Sequence, residues 1–212
     1  MTIDWRTFAP ALLLLLPPIG LFHGKKVRFR PIARDWTDHW PLILNLGLHW
    51  IDLCRAALGG WFLVAALSVS PHAAGFARYS VLLTQGAVII TAVGLQTFCC
   101  KERDCANAPF LFVSGLLIGL YPPEIAGFPL LLAGAIAAGA RLPSAFFPLL
   151  AVSLLGVGYL FNGQGAAITL ASGFCAVLLP WLASLMFSRD LTVTYRARRL
   201  TKDSEGPLPP PR

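Results

Sequence analysis

Seven apolar runs, separated by short polar or proline-containing segments, are the feature that most constrains how this chain can fold. The runs are Phe8–Phe22, Leu42–Val69, Tyr79–Phe98, Pro109–Tyr121, Gly127–Ala140, Ser144–Phe161 and Ala166–Phe187. A helix needs about 20 residues to cross a hydrocarbon core roughly 30 Å thick. The second, third, sixth and seventh runs reach that length with small extensions. The pattern therefore predicts an all-α, polytopic integral membrane helix bundle with about six to seven transmembrane segments.

The other three runs are too short for a simple span. Phe8–Phe22 contains Pro17 and Pro18, which cannot donate to the hydrogen-bond ladder of a helix. The fourth and fifth runs are separated by the sequence YPPEIAG at Tyr121–Gly127. They form either two short, tilted spans or one re-entrant pair buried in protein. Some of the predicted segments are thus short or re-entrant.

Composition supports the bilayer as the solvent for most of the chain. Of the 212 residues, 56% are hydrophobic and only 13% are charged. A typical soluble domain carries about a quarter charged residues. The net charge of +7 is explained by basic loops that bracket the apolar runs and face anionic lipid. Anionic headgroups of the lipid bilayer are therefore the expected partner, and nucleic acid is not.

The basic residues also predict an orientation. With seven spans, all lysines and arginines fall on one side except Arg6, Arg78 and the intramembrane Arg55. The positive-inside rule places that side in the cytoplasm. The predicted location is the cell membrane (the inner or cytoplasmic membrane), with the C-terminus in the cytoplasm. Residues 1–187 form the helix bundle and residues 188–212 a basic, Pro-rich cytoplasmic tail, predicted to be extended or disordered from Ser204 onward.

The first basic loop, residues 23–41, mixes cations with aromatic side chains. Such a composition suits a segment at headgroup level, where aromatic rings lie at the interface and cations lie near anionic lipid. The residues predicted to contact lipid headgroups are Lys25, Lys26, Arg28, Arg30, Arg34, Trp36 and Trp40.

A polar stripe interrupts the second apolar run and consists of Asn45, His49, Asp52 and Arg55. Its spacing of four, three and three residues puts all four on one face of a helix. If the whole run lies in lipid, Asp52 and Arg55 are near mid-depth, where charges are expensive and usually pair. Three interpretations remain open. The stripe is interfacial or purely structural, it is a buried polar latch between helices or subunits, or it is a transport or catalytic site.

No metal site, catalytic residue or cofactor is assigned from the sequence. The three thiols of Cys99, Cys100 and Cys105 are one short of a Cys-only zinc site. His49 is a conceivable axial ligand to haem or chlorophyll. A bis-His haem needs a second histidine at membrane depth, and the other histidines lie in loops or at span boundaries.

Three classes of function fit these patterns. A non-catalytic subunit or assembly scaffold of a larger membrane complex, with other membrane subunits as partners, is favoured by the short spans and abundant small residues. A small transporter or channel with its site at the stripe is supported by the Pro-interrupted segments. A lipid-modifying membrane enzyme at the cytoplasmic face would use the loop around Asp35, Asp38 and His39. An enzymatic role is not favoured.

Overall fold

Each apolar run overlaps one α-helix in the computed structural model, which describes residues 2–17, 25–29, 47–68, 76–99, 105–140, 142–162 and 167–195. The helices of these segments are α1 (Trp5–Leu15), α2 (Gly47–Ala66), α3 (Phe76–Phe98), α4 (Phe110–Leu120), α5 (Pro123–Gly139), α6 (Phe146–Asn162) and α7 (Ala167–Met186). A 3-10 turn at Pro143–Ala145 leads into α6. The prediction of an all-α bundle is confirmed at the level of fold class.

Three of the described helices contain stretches long and apolar enough to cross a membrane. These stretches are Tyr79–Phe98 in α3, Pro143–Phe161 at α6 and Ile168–Met186 in α7. The helices α1, α4 and α5 are apolar but shorter. The 20-residue α2 is as long as a span, but the polar stripe makes its first half less apolar. The described helices fit a membrane protein, and the count of six to seven spans remains a prediction.

Five short strands accompany the helices in the described segments, and none of them was predicted from the sequence. They are β1 (Thr2–Ile3), β2 (Lys25–Phe29), β3 (Leu67–Ser68), β4 (Cys105–Asn107) and β5 (Asp190–Tyr195). In the three-stranded sheet, β5 lies in the centre, antiparallel to β2 and parallel to β4. A separate two-stranded sheet pairs β1 with β3.

The central strand β5 belongs to the segment that the sequence analysis assigns to a separate tail. Leu191, Thr192 and Val193 are nevertheless buried there, with 0, 1 and 3% of their surface exposed. Branched and apolar side chains of this kind favour a packed strand. The first residues after α7 are therefore part of the folded structure.

The three-stranded sheet joins part of the first basic loop to the start of the tail at one end of the bundle. The helix α3 leads into β4 and α7 leads into β5, so both helices end at this sheet. The helix α4 starts beside it, where the Ala108 N–H donates to the Thr192 carbonyl over 2.8 Å. Strand β2 of the first basic loop, strand β4 and strand β5 at the start of the tail thus meet at what we call the sheet end.

Glycines bring α2 and α4 into backbone contact. A Cβ on Gly115 would lie 2.1 Å from the carbonyl oxygen of Leu53, and one on Gly119 would lie 2.1 Å from that of Ala57. The contacts follow the same order along both helices, so α2 and α4 are parallel. This GxxxG pair therefore serves packing within the chain.

Aromatic side chains tie α4 to the helices that follow it. The Phe110 ring stacks on the Phe147 ring with 4.9 Å between centroids. At the other end of α4, the Tyr121 hydroxyl donates to the Thr169 carbonyl of α7 over 2.6 Å. Buried aromatic rings contribute large apolar areas, and a tyrosine hydroxyl needs a partner when it is buried.

Candidate functional site

The helix α1 ends where its sequence runs into two prolines. Pro18 has no N–H with which to bond the carbonyl of Leu14, four residues earlier. Pro17 leaves the carbonyl of Leu13 without its donor in the same way. Carbonyls that lack partners are costly away from water. The last turn of α1 therefore needs a donor from another part of the chain.

Arg55 of α2 supplies a donor to this turn. Its Nη1 donates to the carbonyl of Leu14 over 2.6 Å and also to the carbonyl of Leu16. A positive charge at this position also complements the negative end of the helix dipole of α1. Only 11% of the Arg55 side chain is exposed. The guanidinium group is thus an internal cap for α1.

Asp52 balances the charge of Arg55 from one turn earlier in α2. Its Oδ1 accepts from Arg55 Nε over 3.2 Å and from Arg55 Nη2. The Asp52 side chain is 16% exposed. The guanidinium carbon also lies 5.3 Å from the centre of the Phe112 ring of α4, within cation–π range. Arg55 therefore joins α1, α2 and α4.

The other end of α1 is also attached to α2. The Asp4 N–H donates to the Ala66 carbonyl over 3.1 Å, and Ile3 pairs with Leu67 between β1 and β3. The Asp4 carboxylate begins α1 by accepting from the Arg6 N–H over 3.1 Å, as an N-cap does. As a result, α1 lies antiparallel to α2 and is held at both ends. We call the Asp52–Arg55 pair with its contacts to α1 the polar latch.

The structure brings together two of the four residues in the predicted stripe. Asp52 and Arg55 form an ion pair and contact a second helix, which is the geometry of a latch between helices. His49 is half-buried on the same helix, one turn before Asp52. Asn45 lies outside the described residues. Whether the stripe acts in transport, catalysis or assembly stays a matter of prediction.

The predicted headgroup contacts divide between described and undescribed segments. Lys25, Lys26 and Arg28 are on strand β2, whose backbone pairs with β5 from Lys25 opposite Tyr195 to Phe29 opposite Leu191. The remaining four lie outside the described residues: Arg30, Arg34, Trp36 and Trp40. Headgroup contact stays a prediction, but part of the predicted interfacial segment is a paired strand.

Arg189 at the sheet end belongs to the segment that was predicted only to be a basic tail, and no specific contact was predicted for it. Its guanidinium carbon lies 5.4 Å from the Phe187 ring centre and 6.0 Å from that of Phe98. The two rings meet edge to face with 5.8 Å between centroids. The sequence shows that Phe187 is close to Arg189 along the chain. It does not show that Phe98, at the end of α3, lies beside the same arginine.

Gln96 is a second residue that sequence reasoning missed. Its side chain is fully buried near the end of α3, and neither amide atom has a hydrogen-bond partner among the described residues. Its backbone carbonyl accepts from the Asn107 side chain over 3.2 Å. Buried polar atoms are usually paired, so an unpaired amide is an exception. The only sequence signal is a glutamine within an apolar run.

In the described part of the chain, no group of three or more His, Cys, Asp or Glu side chains is placed so that it could hold a metal ion. Comparisons with models of protein families, with curated proteins and with solved structures found no match to this chain.

Proposed function

We propose that this chain is a non-catalytic subunit or assembly scaffold of a larger membrane complex. The observation that carries the proposal is the polar latch. Arg55 directs its donors to Asp52 and to the backbone of α1, all within the chain. Charged groups of transport and proton-transfer sites face a substrate path or a water-filled cavity. The internal contacts of this pair favour a structural role.

The outward face of α5 supports a role in assembly. Its exposed residues are Phe128, Leu131, Leu132, Ala135, Ile136, Ala138 and Gly139. Small residues allow helices to approach closely in lipid. On the opposite face, Ala133 and Ala137 are fully buried, with 0% of their surface exposed. The helix thus has one face that packs within the chain and one with small and large apolar groups available to another helix.

A small transporter or channel is the second candidate. The observation that favours it is the length of α1, which has 11 residues where α3 has 23, and which ends beside two charged side chains. Interrupted helices often form the binding sites of transporters. The lipid-modifying enzyme of the sequence analysis rests on Asp35, Asp38 and His39, all outside the described residues.

For location, we propose the cell membrane with the sheet end in the cytoplasm. The support is the position at that end of strand β2, with Lys25, Lys26 and Arg28, and of Arg189, because the positive-inside rule assigns basic residues to the cytoplasm. Anionic headgroups are the partner that this charge favours.

Purification in a mild detergent tests the proposed function. A subunit or scaffold is expected to come with polypeptides in fixed ratio. A photo-crosslinking amino acid at Leu131, on the exposed face of α5, is expected to capture one of them. The same group at Leu83, on the exposed face of α3, is the matched control. A monomer that transports a polar solute in liposomes, and loses this activity on Arg55→Met, would support the transporter instead.

A further inference from the structure

An apolar groove separates α1 from α3. It has a volume of about 230 Å³ and is lined by three leucines of α1 (Leu12, Leu15 and Leu16) and by the segment of α3 from Ala87 to Leu95. Leu12, Leu16 and Leu95 are 37, 48 and 44% exposed, so the groove opens sideways. In a bilayer, this opening faces hydrocarbon.

The groove follows an exposed stripe that runs the length of α3. The stripe consists of Tyr79, Leu83, Ala87, Thr91, Leu95 and Phe98, each three or four residues from the next. At 1.5 Å per residue, the lining segment of α3 is about 12 Å long. The last member, Phe98, lies about 4.5 Å further toward the sheet end. A chain lying in the groove is therefore directed to the Phe98 ring.

A positive charge stands at that end of the stripe. The Arg189 guanidinium carbon is 6.0 Å from the centre of the Phe98 ring. Among the side chains that the structure describes, none with a carboxylate forms an ion pair with Arg189. Strand β2, with Lys25, Lys26 and Arg28, belongs to the same end of the bundle. The groove thus leads from apolar walls to a basic end.

We propose that this groove binds an anionic phospholipid of the surrounding bilayer, with one acyl chain between α1 and α3 and the phosphate at Arg189. The walls match a hydrocarbon chain, and a guanidinium group forms charge-assisted hydrogen bonds with phosphate oxygens. The groove is apolar over about 12 Å of α3 and leads to one cation, a combination that matches a single acyl chain with an anionic headgroup. The site stands independently of the assembly role proposed above.

Native mass spectrometry of the detergent-purified protein with added phosphatidylglycerol or phosphatidylcholine tests the headgroup contact. Wild type is expected to bind phosphatidylglycerol roughly five-fold more tightly, the equivalent of about 1 kcal/mol for one basic residue near anionic lipid. Arg189→Gln is expected to remove this preference while binding of phosphatidylcholine persists. Arg6→Gln, at the opposite end of the bundle, is the matched control and keeps the preference.

Two groove-filling variants test the acyl-chain contact. Ala87→Phe and, independently, Thr91→Phe are expected to reduce adducts of both lipids several-fold. Leu83→Phe, on the same stripe outside the groove, is expected to bind like wild type. Unfolding temperatures in lipid-free detergent identify any variant that fails to fold, and the acyl-chain contact is then tested with the other variant.

Equal binding of the two lipids by wild type, a preference that survives Arg189→Gln, or undiminished adducts in the folded groove variants would overturn the proposal. So would a polypeptide captured by a photo-crosslinker at Thr91.

Discussion

The guanidinium group of Arg55 donates to the carbonyl of Leu14 over 2.6 Å, across 41 residues of sequence. This bond replaces the one that Pro18 cannot make, because a proline nitrogen carries no hydrogen. An arginine near the middle of an apolar helix therefore has a structural explanation. It donates a hydrogen bond to the last turn of α1, which ends just before two prolines.

The polar latch predicts unequal effects for its two charged residues. Arg55→Ala leaves the Leu14 and Leu16 carbonyls without this donor and isolates the Asp52 carboxylate, so a loss of about 3–5 kcal/mol is expected. Asp52→Ala leaves both bonds to α1 in place, and about 1–3 kcal/mol is expected. The double variant should lose less than the sum of the two. Unfolding in detergent micelles measures these changes, and two wild-type-like single variants would contradict the latch.

Close contact between α2 and α4 predicts that even a methyl group is harmful at two glycines. Gly115→Ala or Gly119→Ala forces a Cβ toward a backbone carbonyl 2.1 Å away, which must move the helices apart. Overpacking of this kind typically costs about 1–3 kcal/mol. Gly134→Ala is the control because nothing lies within 4 Å of its Cβ position. Equal unfolding free energies for the Gly115 and Gly134 variants would contradict this close contact between α2 and α4.

Strand β5 predicts where the C-terminal segment can be shortened. Truncation after Asp203 is expected to leave expression and detergent stability near wild type, because the removed residues lack apolar periodicity. Truncation after Ser188 removes Leu191 and Val193, and burial of each such side chain is worth about 1.5–3 kcal/mol. Expression level and unfolding temperature distinguish the two truncations. A large loss from the shorter truncation would mean that the distal tail is docked.

The three-stranded sheet predicts a labelling pattern in intact cells. In a variant without native cysteines, Lys26→Cys and Thr194→Cys lie opposite each other in the sheet, so both should be inaccessible to an impermeant thiol reagent from outside. Thr2→Cys, at the opposite end, should react. Permeabilised cells provide the control for reactivity of all three. External labelling of the first two would reverse the proposed orientation.

Hydropathy predicted much of the helical architecture because a run of apolar residues is a local property. Pro17 and Pro18 likewise predicted a break in the hydrogen bonding of the first run, and the spacing of Asp52 and Arg55 placed them within reach of each other. The contact of Arg55 with Leu14 could not be read in this way. It depends on which helices become neighbours, and no residue pattern near either partner specifies that.

The strands could not be predicted from the sequence for a related reason. Lys25–Phe29 is basic and aromatic, which equally suits a lipid interface, and its partner β5 follows more than 160 residues later. Strand pairing between distant segments is fixed by tertiary structure, because the same side chains accept several environments. The position of Arg189 beside Phe98 depends on the same distant pairing.

The attachment of α1 to α2 at both ends has a consequence for biosynthesis. The N-terminal helix is synthesised first, yet the donor for its last turn emerges only 41 residues later. Until then, the carbonyl of Leu14 has no such partner, and lipid offers none. The helix α2 contacts α1 at Arg55 and at Ala66, which are 11 residues apart. This separation equals the 11-residue length of α1. We therefore expect α1 and α2 to be inserted into the membrane together, with the length of α1 matched to the part of α2 that it contacts.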